Sequence, residues 1–281
     1  MKKKKRIVLA ALLLALVVTA VWLIWANTAL EVTEISAASE ALPESFDGFR
    51  IAHISDLHNA EFGEGNGELL ALLRQAQPDI IAITGDLVDS RRTDIEVALA
   101  FIREAVKIAP CYYVTGNHES RISEYASLEA EMAEAGVTVL HNEAAVLERA
   151  GQTIQIIGME DYSMYDHPAA EESIAEIMAQ LGELSTEGYT ILLCHRPELM
   201  PRFDGMGFEL ILSGHAHGGQ VRIPFVGGLF APDQGFFPKY DAGLYTRGTT
   251  SMVVSRGLGN SSIPLRVNNR PEVVLITLNT K

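Results

Sequence analysis

Between residues 49 and 135 three short apolar runs alternate with three segments whose apolar residues recur at helical period. The runs are FRIAHIS (49–55), DIIAITG (79–85) and CYYVTG (111–116), and the helical segments lie near 67–76, 94–107 and 123–135. A strand that returns through a helix pairs in parallel with its predecessor, so this βαβαβα pattern predicts a layered, largely parallel sheet. After Gly136 the character changes. VTVLHN reads as a strand, and AVLERAGQTIQIIGM as a hairpin turned at Ala150-Gly151, followed by a helix near 169–182. Further strands are expected at 190–195, 208–214, 249–255 and 271–278. The expected fold is α/β, a two-sheet β-sandwich flanked by helices.

A different constraint governs the start of the chain. Residues 7–26 are twenty residues in which Thr19 is the only polar side chain, and at ~1.5 Å per residue a helix of that length crosses a ~30 Å hydrocarbon layer. A cleaved secretory signal is the alternative. Its apolar core usually runs only about 7–15 residues, and Ala26-Asn27-Thr28 is a poor cleavage site. The cations KKKKR at 2–6, set against Glu31 and Glu34 beyond the span, put the N-terminus in the cytoplasm and the rest outside. Trp22 and Trp25 read as interface anchors. The chain thus divides into a basic cytoplasmic segment (1–6), a single transmembrane anchor (7–26), a linker (27–47) and one folded domain (48–281). The linker is acidic and rich in small residues, though the alternation of Leu30 and Val32 with polar neighbours allows a short strand at 30–35 on a sheet edge.

Charge narrows the partners. The chain carries 22 Lys+Arg against 36 Asp+Glu, and the five N-terminal cations lie outside the domain. A nucleic-acid partner is not expected of so acidic a domain. The two cysteines, Cys111 and Cys194, fall in apolar runs and read as buried free thiols.

Polar residues of chemical interest fall where strands run out into loops, the position at which open α/β sheets collect their sites. They are Asp56-Leu57-His58, Gly85-Asp86-Leu87-Val88-Asp89, Gly116-Asn117-His118-Glu119, His195 and Gly214-His215-Ala216-His217, and they hold five of the eight histidines. Asp56 and His58 are two apart, so an extended backbone would project both to one side, and His215 with His217 repeats the spacing. Asp86 offers two carboxylate oxygens and could bridge two ions. An all-nitrogen and oxygen donor set suits Mn, Fe or Zn. Gly85, Gly116 and Gly214 each precede a candidate ligand, as a sharp turn out of a strand would want. His53 lies mid-strand and reads as core, and His141 and His167 read as solvated loop residues. Arg256 follows a strand and is a candidate for holding a substrate phosphate, an ordinary surface turn being the equal alternative.

The ordered set D-x-H, G-D-x-x-D, G-N-H-E, a lone His and G-H-x-H resembles the calcineurin-like metallophosphoesterase superfamily. The segments 218–245 and 264–278 look like its bacterial membrane-associated phosphodiesterase branch, similar to YaeI and YkuE. The resemblance implies two divalent metal ions, the first held by Asp56, His58, Asp86 and His217, the second by Asp86, Asn117, His195 and His215. It implies a catalytic role for His118, with Asp89 as its supporting partner and Asn117 also near substrate. Protein phosphatases of the superfamily continue G-D-x-x-D with Arg-Gly, whereas Ser90-Arg91 stands in this chain, which speaks against that activity. The implied function is a dinuclear phosphoester hydrolase, foremost a phosphodiesterase at the outer membrane face, acting on a lipid-linked or envelope phosphoester. The alternatives are a phosphomonoesterase of the same fold and a metal-binding interaction module without turnover.

Overall fold

A computed structural model describes residues 2–184, 188–260 and 264–281. α1 (Lys2–Thr28) runs almost directly into β1 (Glu31–Ser39), and β2 (Arg50–Ile54), α2 (Gly67–Ala76), β3 (Ile80–Thr84), α3 (Ile95–Ala105), β4 (Cys111–Val114), α4 (Tyr125–Ala135) and β5 (Thr138–Val139) follow. Then come β6 (Glu143–Arg149), β7 (Gln152–Met159), α5 (Ala170–Leu184), β8 (Thr190–Cys194) and β9 (Leu210–Ser213). Two small hairpins pair β10 (Arg222–Ile223) with β11 (Gly227–Gly228) and β12 (Phe230–Ala231) with β13 (Gly235–Phe236). β14 (Gly243–Arg247), β15 (Thr250–Val254) and β16 (Glu272–Thr280) complete the chain.

Two six-stranded sheets, in the orders β1-β16-β2-β3-β4-β5 and β14-β15-β9-β8-β7-β6, pack face to face as the expected sandwich. β2 to β5 run parallel, as do β7, β8, β9 and β15, so each sheet delivers several strand ends to the same side. The period of two along each strand divides the core into layers. In β3, Ile80 and Ala82 face the space between the sheets with Ile51, Ile191 and Leu212. Ile81 and Ile83 point the other way, into Leu69 and Leu73 of α2 and Leu99 and Ile102 of α3. On the outer face of the second sheet, Ile177 and Leu181 of α5 cover Leu192 and Ile211. Cys111 and Cys194 are buried and free, and burial pushes the Cys111 thiol up to about 12.

The linker reading of 27–47 is corrected. Residues 31–39 form a strand paired along its whole length with β16, and Phe46 is fully buried between the sheets. Alternate side chains of β1 are exposed, which is why its composition looked like a tether. α1 is uniformly apolar, with a mean hydropathy of 3.0 over its best window, and it is long enough to cross a membrane. Its last turn is fastened to the domain. Asn27 Nδ2 donates to Arg266 O (3.0 Å), Arg266 N donates back to Asn27 Oδ1 (2.7 Å), and the Arg270 guanidinium lies over the Trp25 ring.

Candidate metal centre

The loops after β2, β3, β4, β8 and β9 meet where the C-terminal ends of the two sheets converge. Backbone bonds tie them together: Asp56 N donates to Gly85 O, His58 N to Asp86 O, and Gly214 N to His195 O. Glycines permit the approach. A Cβ on Gly116 would lie 2.3 Å from Asp86 Oδ1, and one on Gly214 would lie 1.8 Å from Ser55 Oγ. Only Gly85 of the three has a positive φ (79°), so at Gly116 and Gly214 the need is space, not the turn expected from sequence.

Five of the seven candidate ligands, Asp56, His58, Asp86, His215 and His217, themselves have φ between 46° and 64°. Non-glycine residues in that region cost on the order of 1 kcal/mol or more each and collect at functional sites. The extended-strand projection expected for Asp56 and His58 is therefore corrected: a left-handed loop, not the pleat, turns both side chains inward.

Side-chain nitrogens and oxygens converge in two groups. His58 Nε2 and His217 Nε2 are 3.2 Å apart, with Asp56 Oδ1 3.8 and 3.4 Å from them respectively. His195 Nε2 lies 3.1 Å from His215 Nδ1 and 3.3 Å from Asn117 Oδ1. Asp86 Oδ2 stands between the groups, 3.5 Å from His58 Nε2 and 3.4 Å from His195 Nε2. All seven residues are buried. Three of the four outward ring nitrogens have partners: His58 Nδ1 faces Val88 O (3.3 Å), His195 Nδ1 faces Thr84 O (2.6 Å) and His215 Nε2 faces Asp233 Oδ2 (2.9 Å), while His217 Nδ1 has none. These oxygens accept from protonated nitrogens, so in the neutral rings of His58, His195 and His215 the inward nitrogen is a lone-pair donor aimed at the centre, the arrangement a cation satisfies. The donor set fits two divalent ions.

Electrostatics show the same demand for positive charge: against the effect of burial, Asp86 holds His195 up at about 10 and Asp56 holds His58 above its usual range. Burial works to raise Asp86, yet His195 and His58 hold it well below the usual carboxylate range. Burial pushes His217 down to about 3. Glu119, unassigned from sequence beyond its place in the motif, is fully buried and accepts from the backbone N–H groups of Asp86, Leu87 and Gly116 at 2.8–2.9 Å. One carboxylate thus splints the two loops that carry Asp86 and Asn117. Burial, and next to it the Asp86 charge, push Glu119 up to about 7.

His118 lies beside the first group, its ring 4.5 Å from that of His58. Asp89 approaches its Nδ1 only to 3.6 Å, and the hydrogen bond comes from the Ser90 backbone N–H at 2.9 Å. Asp89 thus stands beside the ring as a charge and not as a hydrogen-bond acceptor. Nδ1 accepts, so the proton sits on Nε2, and burial lowers His118 to about 4. Its ring borders a cleft of about 210 Å³ shared with Asp86, Asn117, His215, His217, Arg121 and Asp233.

Arg256 is not brought to that cleft. Its guanidinium is held by Glu272 Oε1 at 2.7 Å and Glu31 Oε2 at 3.3 Å, tying the loop after β15 to β1 and β16. His53 is core, with Nε2 2.8 Å from Thr84 Oγ1. His141 is corrected from solvated to half-buried, 2.8 Å from Glu129 and 2.9 Å from Glu160; His167 is exposed beside Glu176. Reading the sequence missed Arg196, Asp161 and Asp233. Arg196 Nε and Nη2 grip Asp161 (2.7 and 3.2 Å), and Nη1 reaches Asp233 Oδ2 at 2.5 Å. Adjacency to His195 was the available signal for Arg196, while Asp233 lies in a Gly- and Pro-rich stretch without periodicity.

Comparison with known proteins agrees with this geometry. Residues 49–219 match the family model described as calcineurin-like phosphoesterase. The chain is 31% identical over 254 residues to the uncharacterised metallophosphoesterase YkuE of Bacillus subtilis, covering 89% of this chain and 85% of that protein. It is 29% identical over 238 residues to the phosphodiesterase YaeI of Escherichia coli, covering 82% of each. Among solved structures, the phosphopantetheinyl hydrolase PptH of Mycobacterium tuberculosis superposes with a TM-score of 0.50 at 16% identity, over 74% of this chain and 89% of that one, a likeness of fold.

Proposed function

The chain belongs to the calcineurin-like phosphoesterase family of metal-dependent hydrolases, and from that premise we propose that it is a phosphodiesterase anchored by α1 and working at the outer face of a membrane. The substrate on this reading is a phosphoester carried by a lipid or an envelope polymer. The observation that carries the reading is Asp86 Oδ2, placed almost equally from His58 and His195 so that one oxygen serves both groups.

Asp56, His58, Asp86 and His217 would hold the first ion, and Asp86, Asn117, His195 and His215 the second. Bound divalent ions supply a water acidic enough to attack phosphorus near neutral pH and offset the charge of the phosphoester. Asp56 and Asp86 bring only two ligand carboxylates to the four positive charges that two ions would carry, so an anionic substrate would be attracted despite the acidic domain. His118, neutral with its proton on Nε2, donates to the leaving oxygen as charge develops there. Arg121, exposed on the rim, replaces Arg256 as the arginine placed to orient a phosphate oxygen. The cations in the first turns of α1 and the acidic residues after it support a cytoplasmic N-terminus, and the similarity to the phosphodiesterase YaeI supports the diester preference.

The test is hydrolysis of bis(p-nitrophenyl) phosphate by the full chain in detergent with Mn²⁺, Fe²⁺ or Zn²⁺, compared with p-nitrophenyl phosphate. Faster turnover of the monoester would replace diesterase by monoesterase. No turnover of either with any ion would favour an interaction module.

A further inference from the structure

The chain has ten phenylalanines. Six are buried in the core, and the other four, Phe225, Phe230, Phe236 and Phe237, are all exposed within the two small hairpins between β9 and β14. Ile223 and Val226 are exposed with them, so six of the ten exposed large apolar side chains among the described residues outside α1 lie in 223–237. Soluble surfaces rarely gather apolar side chains so densely without a partner. Phe225 projects wholly from its hairpin turn, and both Phe225 (φ 66°) and Phe237 (φ 55°) occupy the left-handed region that bulky residues avoid.

The hairpins are joined to the end of α1. Asn27, one residue past the ~30 Å apolar span, is locked to Arg266 by two hydrogen bonds. The next residue, Val267, bridges to Val221, and Arg222 N donates to Val267 O at 2.9 Å. Phe225 is three residues further, at most about 11 Å of extended chain. Leu265, on the other side of Arg266, is exposed as well. The Arg270 guanidinium on the Trp25 ring, with Nε bonded to Ala29 O, leaves no slack between helix and domain.

We propose that the exposed side chains of Ile223, Phe225, Val226, Phe236 and Phe237 enter the outer lipid surface beside α1, giving the domain a second membrane contact that holds the metal centre's cleft at the bilayer. This rests on the anchored reading above. Continuity with α1 identifies the occupant as that same bilayer, and Lys239, beside Phe225 and Val226, suits its anionic headgroups. The second hairpin links the contact to the chemistry. Its strands carry Phe230 and Phe236, with rings 5.4 Å apart, while its turn carries Asp233 to His215. A phosphoester amphiphile is the substrate class this favours: its tails stay in the bilayer while its headgroup reaches the cleft.

The full chain, reconstituted in phosphatidylcholine and phosphatidylglycerol vesicles, tests this with an environment-sensitive fluorophore on Phe225→Cys or Phe237→Cys. Val146→Cys, exposed on β6 at the opposite edge of the second sheet from β14, is the control. Blue-shifted emission quenched by spin-labelled lipid is expected at 225 and 237 and not at 146. Emission at 225 and 237 like that at 146, from chains that float with vesicles after carbonate, overturns the contact and spares the anchor. Failure to float overturns both. Independently, the triple substitution Phe225→Ser, Val226→Ser, Phe237→Ser should leave bis(p-nitrophenyl) phosphate hydrolysis unchanged and slow hydrolysis of a bilayer-embedded phosphodiester roughly tenfold; equal rates on both substrates count against the contact. If the parent chain hydrolyses neither substrate, the activity reading fails while the fluorescence result still decides the contact.

Discussion

The backbone N–H of His118 donates to Oδ1 of Asp86 at 2.8 Å. That bond fixes one carboxylate oxygen against the loop after β4 and turns the other, Oδ2, toward His58 and His195. The residue proposed to assist the leaving group therefore also positions, through its main chain, the oxygen that joins the two ligand groups. Substituting the His118 side chain leaves this bond in place, so metal binding and leaving-group assistance are separable by mutation.

Asp86→Ala removes the shared oxygen and should lose both ions, whereas His58→Ala should lose mainly one. Metal content per chain, measured by mass spectrometry after gel filtration, decides between them. Asp86→Ala retaining close to two ions would show that the groups do not share this ligand.

The start of the folded domain is a second point of test. A chain beginning at Ala29 keeps β1 and its pairing with β16, while one beginning at Gly48 loses the strand and the buried Phe46. Losing a large buried aromatic alone costs about 3–5 kcal/mol. The longer form should unfold cooperatively and the shorter should aggregate or melt far lower by calorimetry. Equal melting temperatures would return 27–47 to the status of a tether.

His141 makes a pH-dependent contribution far from the metal ligands in sequence. Its hydrogen bond to Glu160, opposed by burial and aided by Glu129, raises it from 6.5 to about 9. A group raised on folding stabilises fully below its unfolded pKa, and the gain is lost as pH rises through the folded one. His141→Gln should lower the melting temperature by about 2–4 °C at pH 6, an effect of about 1 kcal/mol after allowing for solvent screening. The difference should vanish by about pH 10. A deficit independent of pH would mean that the side chain acts by packing alone.

The seven candidate ligands were legible because each follows an apolar strand, and strand ends are where an α/β sandwich gathers polar side chains. Their local geometry was not legible. Nothing in D-x-H announces that both residues adopt left-handed backbone, since that follows from the ladder between the loops after β2 and β3. Arg256 was misread because the carboxylates that hold it, Glu272 at the start of the next strand and Glu31 at the far end of the chain, are brought to it only by the pairing of β1 with β16. β1 looked like a tether because an edge strand buries few side chains, and its pairing energy comes from backbone bonds that leave no mark on composition.

Asp233, absent from the motifs, accepts from His215 Nε2 and so fixes which ring nitrogen faces the centre. Asp233→Asn should weaken binding at the second site by roughly 10- to 100-fold while the first site is little changed. Titration of the metal-free protein with Mn²⁺, followed calorimetrically, reads the two affinities separately. An equal loss at both sites would point to a general disturbance of the Arg196 and Asp161 network instead.

On the proposed mechanism, His118 assists the leaving oxygen only to the extent that the oxygen needs help. An alkoxide departs poorly, while a nitrophenolate is already stable near neutral pH. Proton or hydrogen-bond assistance is typically worth about 10²- to 10⁴-fold, so His118→Ala should lose that much on alkyl phosphodiesters and far less on nitrophenyl esters, with metal content intact. Asp89→Asn should have only a mild effect, because the Ser90 backbone N–H, which it leaves in place, already fixes the ring. Since burial keeps His118 neutral down to about pH 4, the selective advantage toward alkyl leaving groups should be flat from pH 6 to 8. An equal loss on both ester types would assign His118 to holding the phosphate itself.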